Sequence, residues 1–256
     1  MSPILALPVA TGNGPAATYN RLRARLQRSL RNAAVPSLTV ENYVKAIYQI
    51  GISQAGKPAA TGQLAAALGV SPGSVTSMLK TLSESGLATY TPYEGVSLTV
   101  AGVALALRVI RRHRLIELFL AKTLDLNWDE VHEEAEHMEH AVSDLLVDRI
   151  DSFLGHPHVD PHGDPIPRAD GSLEPADVRP LAACSPGDEF RLARVVDQSP
   201  QFLRYLTEAG LSLGTAGRVT ANRAEAGTVT IALTSGEATL AREAAEKLLV
   251  SAASGA

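Results

Sequence analysis

The nine residues His132-Glu-Glu-Ala-Glu-His-Met-Glu-His140 constrain this chain more than any other stretch. They lie in a helical pattern running over about residues 128–153. Counted along a helix from His132, Glu136 follows by four residues, Glu139 by seven and His140 by eight, which puts all four on one face. Val131, Ala135, Met138, Val142 and Leu145 interleave with the acids, so much of this helix is expected to be buried, and buried acids need partners. Imidazole and carboxylate on one stripe are ligands for a divalent transition metal. The competing reading is a solvated or ion-paired acidic face. His113 and Glu117, four residues apart, offer a second pair upstream.

Charge is segregated along the 256 residues, a length that suggests two or three small domains. Residues 1–37 carry five Arg and no acid, and residues 38–108 are close to neutral. Residues 109–175 carry six bases against fifteen acids. The first part can face a polyanion and the middle part can hold cations. No apolar run reaches the roughly 18 residues of a membrane helix, so no membrane span is expected. No basic segment precedes the mildly apolar first ten residues, so no signal peptide is expected. Cys184 is the single cysteine, which excludes an internal disulfide and fits a reducing cytoplasm.

Taken in order, residues 1–17 have the composition of a disordered segment, and residues 19–32 form a candidate basic helix, either a phosphate contact or a solvated arm. A helix is expected over residues 40–50 behind Thr39, and another over 62–68 behind Thr61. After the turn Gly69-Val-Ser-Pro72, a third helix is expected over 72–85, with Pro72 in its first turn. That helix displays Ser71, Pro72, Gly73, Ser74, Thr76, Ser77 and Lys80, while Val75, Met78, Leu79 and Leu82 point inward. Small polar side chains let a helix sit deep in a DNA major groove. Residues 87–92 and 96–100, around a turn at Tyr93-Glu-Gly95, read as a two-stranded wing. The whole is a winged helix-turn-helix, or else a small helical domain with an incidental hairpin.

A long helix is expected over residues 99–122. The Pro- and His-rich stretch 156–167 reads as a structured loop whose His156, His158 and His162 are surface residues, with metal binding by them the alternative. From residue 181 the periodicity becomes strand-like, giving a small β-barrel-like module. Its last segment, 238–249, is a helix or a strand. A zinc hydrolase would need two His four residues apart, but His132-Glu133 is followed by His137 at five. No other catalytic constellation stands out, so no enzyme is expected.

Leu38-Thr-Val-Glu-Asn-Tyr-Val-Lys-Ala-Ile-Tyr48, the helix-turn-helix with residues 71–77, Arg112-His-Arg-Leu115, the His132–His140 stretch and His162-Gly-Asp-Pro-Ile-Pro167 occur in this order. Together they resemble the diphtheria-toxin-repressor family of metal-dependent transcriptional regulators. The resemblance implies a mainly α multidomain chain. Its parts would be a flexible basic extension (1–37), a winged helix-turn-helix (38–108), a helical metal-binding and dimerisation domain (109–175) and an SH3-like module (176–256). It implies a homodimer that represses metal-uptake genes at palindromic duplex operators. By position, the primary metal site would use Asn42, Glu136, Glu139 and His140, and the ancillary site His113, Glu117 and His132. The family's iron-sensing branch has Cys where Glu136 stands and Met where Asn42 stands. Its manganese branch has Glu and Asp there. Glu136 offers a hard oxygen in place of a thiolate, so Mn2+ is the expected ion and Fe2+ the alternative. Lys45 stands where the shorter manganese regulators carry another acid, which disfavours a second cation beside it. Gln198 and Gln201 lie near the region from which the iron branch draws further ligands.

Overall fold

The computed structural model describes residues 37–174 and 176–252, so the candidate basic helix at 19–32 and the stretch before it lie outside the described residues. The chain divides into two compact units, one ending at Val109 and the other beginning at Ile110.

The first unit opens with α1 (Leu38–Ser53), whose N-cap is Ser37 rather than Thr39. The Ser37 hydroxyl accepts from the Val40 amide. Helix α2 (Thr61–Leu68) ends at Gly69, which takes the left-handed conformation. Helix α3 (Pro72–Glu84) is capped by Ser71, whose Oγ accepts from the Ser74 amide at 3.1 Å. Leu64, Val75, Leu79 and Leu82 are fully buried with Val44 and Ile47 of α1. Each Leu contributes about 1.5–3 kcal/mol by leaving water. Strands β1 (Ala88–Thr91) and β2 (Gly95–Leu98) pair antiparallel as the expected wing. The segment before α2 pins the wing, because Ala59 and Val96 exchange both backbone hydrogen bonds.

Helix α4 spans Val100–Leu124. The expected continuous helix over 128–153 is instead two helices, α5 (Val131–Met138) and α6 (Asp144–Phe153). Ser143 makes the break, since its side chain caps α6 by accepting from the Leu146 amide. Buried Leu115, Leu118, Val147, Ile150 and Ile166 form one small core, and Ile116, Leu120, Val131 and Ala135 form another.

The C-terminal module is an open antiparallel sheet, not a barrel. Its strands are β3 (Arg179–Pro180), β4 (Glu189–Val195), β5 (Ala216–Arg223), β6 (Thr228–Leu233), β7 (Gly236–Ala241) and β8 (Leu248–Ala252), in the order β3-β8-β4-β5-β6-β7. The edge strand β3 has only two residues, and Pro180 brings no amide donor, so it cannot extend the ladder to β7. Helix α7 (Pro200–Glu208) buries Leu203 and Leu206 against this sheet. The ambiguous segment 238–249 holds the end of β7, the short α8 (Arg242–Glu246) and the start of β8. This module and the 110–174 segment pack as one unit.

A buried ion pair holds α4 to α6. Arg111 Nη2 lies 2.9 Å from Asp151 Oδ2, with side chains only 9% and 12% exposed. Arg111 Nη1 also donates to the Pro167 carbonyl, and His156 Nδ1 sits 2.9 Å from the same Asp151 oxygen. Burial alone would raise the Asp151 carboxyl, but hydrogen bonds from His156 and Arg111 outweigh it and hold it below its usual value. A group depressed in the folded state stabilises above its unfolded value, about 3.9 for Asp. That contribution is lost as pH falls through the folded value. Asp151→Asn, which strands a buried guanidinium, is expected to cost about 3 kcal/mol at pH 7. In urea unfolding, the gap to wild type should narrow as pH drops below about 4.

Candidate metal centre

His113 and Glu117 stand one turn apart on α4 and are both buried. His113 is the centre of the cluster. On one side its Nε2 lies 2.9 Å from Glu117 Oε1 and 3.1 Å from His132 Nδ1. Glu117 Oε1 is in turn 3.1 Å from His132 Nδ1, which closes a triangle of three candidate ligand atoms. On the other side, His113 Nδ1 lies 2.7 Å from Glu139 Oε2 and 3.6 Å from Glu136 Oε1. Glu139 is fully buried, and its Oε1 is 3.1 Å from His140 Nε2.

The expected single helical face does not exist. Only His132 and Glu136 lie on α5, while Glu139 is its C-cap and His140 sits in the turn beyond. The turn, rather than the helical period, brings Glu139 and His140 to the cluster. The two expected ligand groups therefore meet at His113: Glu117 and His132 against one ring nitrogen, Glu136 and Glu139 against the other. Burial works to raise the Glu117 carboxyl, yet hydrogen bonds from His113 and His132 win and hold it well below the usual range.

A third group was not foreseen. Glu117, Asp160 and His162 place ligand atoms within 4.8 Å of one another, and all three residues are buried. His162, expected at the surface, has no exposed area. Its Nε2 donates to the Trp128 carbonyl at 2.7 Å. Its Nδ1 is buried without a hydrogen-bond partner, 3.9 Å from Glu117 Oε2 and 4.0 Å from Asp160 Oδ1. Burial first, then the carboxylates of Asp164 and Glu117, push the Asp160 carboxyl well above its usual value. An imidazole nitrogen without a hydrogen-bond partner beside crowded, buried carboxyls is a setting that fits a cation, and its N/O donors suit Mn2+, Fe2+ or Zn2+.

The loop carrying Asp160 and His162 is fixed to the sheet. Gly163 has φ +84°, and a Cβ there would come within 2.0 Å of the Ala193 carbonyl. Val195 N donates to the His162 carbonyl at 2.9 Å. Asp164 accepts from Arg114 Nη2 and from Gln198 Nε2, and also pairs with Arg194 of β4. Gln198 thus uses its Nε2 on Asp164. The local signal for this group was Asp160-Pro-His-Gly163, in which only a glycine permits the close approach to β4.

In the first unit, Asn42 is half-buried on α1, and its Oδ1 is buried without a hydrogen-bond partner. On α3, Ser71, Pro72, Gly73, Ser74, Ser77 and Lys80 are exposed and Thr76 is partly so, while Val75 and Leu79 are buried. The seven residues singled out for DNA contact are thus all at least partly exposed, at the N-cap, the first turn and along that helix. No helix among the described residues is long and apolar enough to cross a membrane.

Removing His113 takes from buried Glu117 and Glu139 the partner they share, leaving His132 beside one and His140 beside the other. His113→Ala is therefore expected to destabilise the chelator-treated protein by about 3 kcal/mol in thermal melts. An unchanged midpoint would contradict the central role of this imidazole.

Three family descriptions match the chain in order. They are the iron dependent repressor N-terminal DNA binding domain (residues 37–96), the iron dependent repressor metal binding and dimerisation domain (99–168) and the FeoA domain (179–252). The chain is 31% identical over 172 residues to the iron-dependent repressor IdeR of Mycobacterium tuberculosis, covering 66% of this chain and 72% of that protein. It is 34% identical over 116 residues to the HTH-type transcriptional regulator MntR of Lysinibacillus sphaericus, covering 45% of this chain and 81% of that one. A solved structure of a manganese-dependent transcriptional repressor in complex with manganese matches with a TM-score of 0.75 at 41% identity, covering 83% of this chain and 99% of that chain. These relatives are DNA-binding regulators, not enzymes. With this domain order and this similarity, the chain belongs to the diphtheria toxin repressor family of metal-dependent, DNA-binding transcriptional repressors.

Proposed function

We propose that this protein is a Mn2+-activated repressor that binds palindromic operators as a homodimer and controls metal-uptake genes. The observation that carries the reading is the group of Glu136, buried Glu139 and His140 around buried His113 in one unit, together with the Asn42 Oδ1 that lacks a hydrogen-bond partner in the other. Asn42, Glu136, Glu139 and His140 would form the primary site. When bound, the cation supplies a fixed positive charge that ligands from two units can share.

The protein's part is to position. Glu139 is fully buried and braced by His113 and His140, so its oxygens hold one side of the site in place. Asn42 brings a neutral amide oxygen from α1, the helix that packs on α2 in the winged domain. Engagement of Asn42 at the same centre restricts the orientation of α3. A dimer needs that restriction, because its two recognition helices must meet half-sites about one turn apart. The exposed side of α3, from Ser71 to Lys80, then enters the major groove. His113, Glu117 and His132 would form an ancillary site, with Asp160 and His162 offering Glu117 an alternative partnership on its second oxygen.

Three oxygens and one imidazole, with no thiolate, favour Mn2+. Fe2+ is the second reading, supported by the relative named as an iron-dependent repressor. Selectivity between the two must come from geometry and availability rather than affinity order.

The test is fluorescence anisotropy on an operator duplex at fixed salt, with chelator, Mn2+ or anaerobic Fe2+. Mn2+ is expected to tighten binding about 100-fold, with Fe2+ acting more weakly. Glu139→Ala and His140→Ala should each abolish that gain. Equal affinity with and without metal would sink the switch, and a larger gain with Fe2+ would replace Mn2+ as the ion.

A further inference from the structure

One residue at the entrance to α5 touches three parts of the second unit at once. Trp128, the chain's single tryptophan, lies in the connection between α4 and α5. Its ring is partly buried against the core of the FeoA module. The indole Nε1 donates to Thr207 Oγ1 of α7 at 3.1 Å, and Thr207 Oγ1 donates onward to the Leu203 carbonyl. The next residue reaches the same helix, with Asp129 Oδ2 3.8 Å from Arg204 Nη1. The backbone around Trp128 is tied to α5 instead. Glu130 N and Val131 N both donate to the Asn127 carbonyl, and Asn127 N donates to the Glu130 carboxylate at 2.9 Å. Val131 is fully buried, so this turn cannot shift without moving the helix that carries His132 and Glu136.

Held from both sides, the Trp128 carbonyl is aimed at His162. It accepts from His162 Nε2 at 2.7 Å, and the two rings lie 14° from parallel with centroids 6.4 Å apart. Among the described residues the imidazole makes no other hydrogen bond, because Nδ1 has no partner. A histidine ring has two broad, opposed orientations about its last torsion. In the one observed, Nδ1 faces Glu117 Oε2 at 3.9 Å and Asp160 Oδ1 at 4.0 Å. Turned over, the ring would offer a carbon to those carboxyls and another carbon to the Trp128 carbonyl. The forfeited hydrogen bond favours the observed orientation by roughly three- to tenfold.

We propose that Trp128 is a positioning residue for His162. The FeoA module grips the ring, and the backbone so held presents the carbonyl that turns Nδ1 toward Glu117 and Asp160. A side chain that merely covered the sheet core would need no carbonyl directed at a buried imidazole. The orientation matters because an aimed Nδ1 is what a cation needs, so the proposal rests on the reading of Glu117, Asp160 and His162 as a cation-holding group.

The experiment uses the full chain with its histidine nitrogens isotope-labelled for NMR, first in chelator and then titrated with Zn2+, which is diamagnetic. Signals of His162 are identified by their loss in His162→Gln. In the wild type, the Nε2 proton should exchange slowly with water, and the Nδ1 resonance should move to a metal-bound position as Zn2+ is added. In Trp128→Ala, that proton should exchange at least tenfold faster, and half-saturation of Nδ1 should need roughly tenfold more Zn2+. Thr207→Val removes only the indole's acceptor, at an exposed position of α7, so the fold is kept. It should move both readouts in the same direction by roughly threefold, and Trp128→Phe, which keeps a seated ring, should match it. A His162 Nε2 proton as protected in Trp128→Ala as in the wild type overturns the proposal. A loss spread equally over His113 and His162 also overturns it, since that is general loosening of the unit. A wild-type Nδ1 that ignores Zn2+ sinks the cation reading instead, while the protection pattern, measured without metal, still decides whether Trp128 positions the ring.

Discussion

The second unit is built around one buried imidazole. His113 has a carboxylate against each ring nitrogen, Glu139 at 2.7 Å on Nδ1 and Glu117 at 2.9 Å on Nε2. Glu117 and Glu139 are almost wholly withdrawn from water, so neither could stay ionised without a partner. The facing imidazoles of His113, His132 and His140 serve that need. In the proposed role as ligands these groups would exchange their partners for a cation, which would tie metal affinity to pH and the cluster to fold stability. The helices α4 and α5 and the turn at Glu139–His140 are held together by the same groups that are proposed as ligands.

The sharing goes further than one residue. Glu117 turns one oxygen to His113 and His132 and its other oxygen toward His162, so two candidate ion positions lie on a single carboxylate. Asp160 and His162 are held in place by the sheet module, through Gly163 on Ala193 and Asp164 between Arg114 and Gln198. The FeoA module therefore braces a ligand loop from behind. That physical role requires no ligand of its own.

Much of the winged domain was legible because its punctuation is local. Ser71, Pro72, Gly69 and Gly86 mark where helices begin and end, and the buried set Val75, Leu79 and Leu82 follows the helical period. The errors there are cap shifts, such as Ser37 in place of Thr39. The break between α5 and α6 was hidden because the apolar period runs through Val142 without a Pro or Gly, leaving Ser143 as the one signal. His162 was misread for a different reason. Its burial is created by β4 and Trp128, distant in sequence, so a Pro-rich loop that looks solvated is packed. The open sheet likewise depends on a pairing, that of the two-residue β3 with β8, which no local pattern announces.

In the proposed mechanism, a cation held by the helical unit and by Asn42 would narrow the orientations of the DNA-reading helices. The direct measurement is the distance between spin labels at Ser83→Cys on α3 of the two protomers, by pulsed dipolar spectroscopy with an EPR-silent Mn2+ surrogate such as Cd2+; native Cys184 is buried. The account predicts a broad distribution in chelator that collapses to one narrow peak when metal is added, with Asn42→Ala remaining broad. A distribution of the same width with and without metal would contradict it.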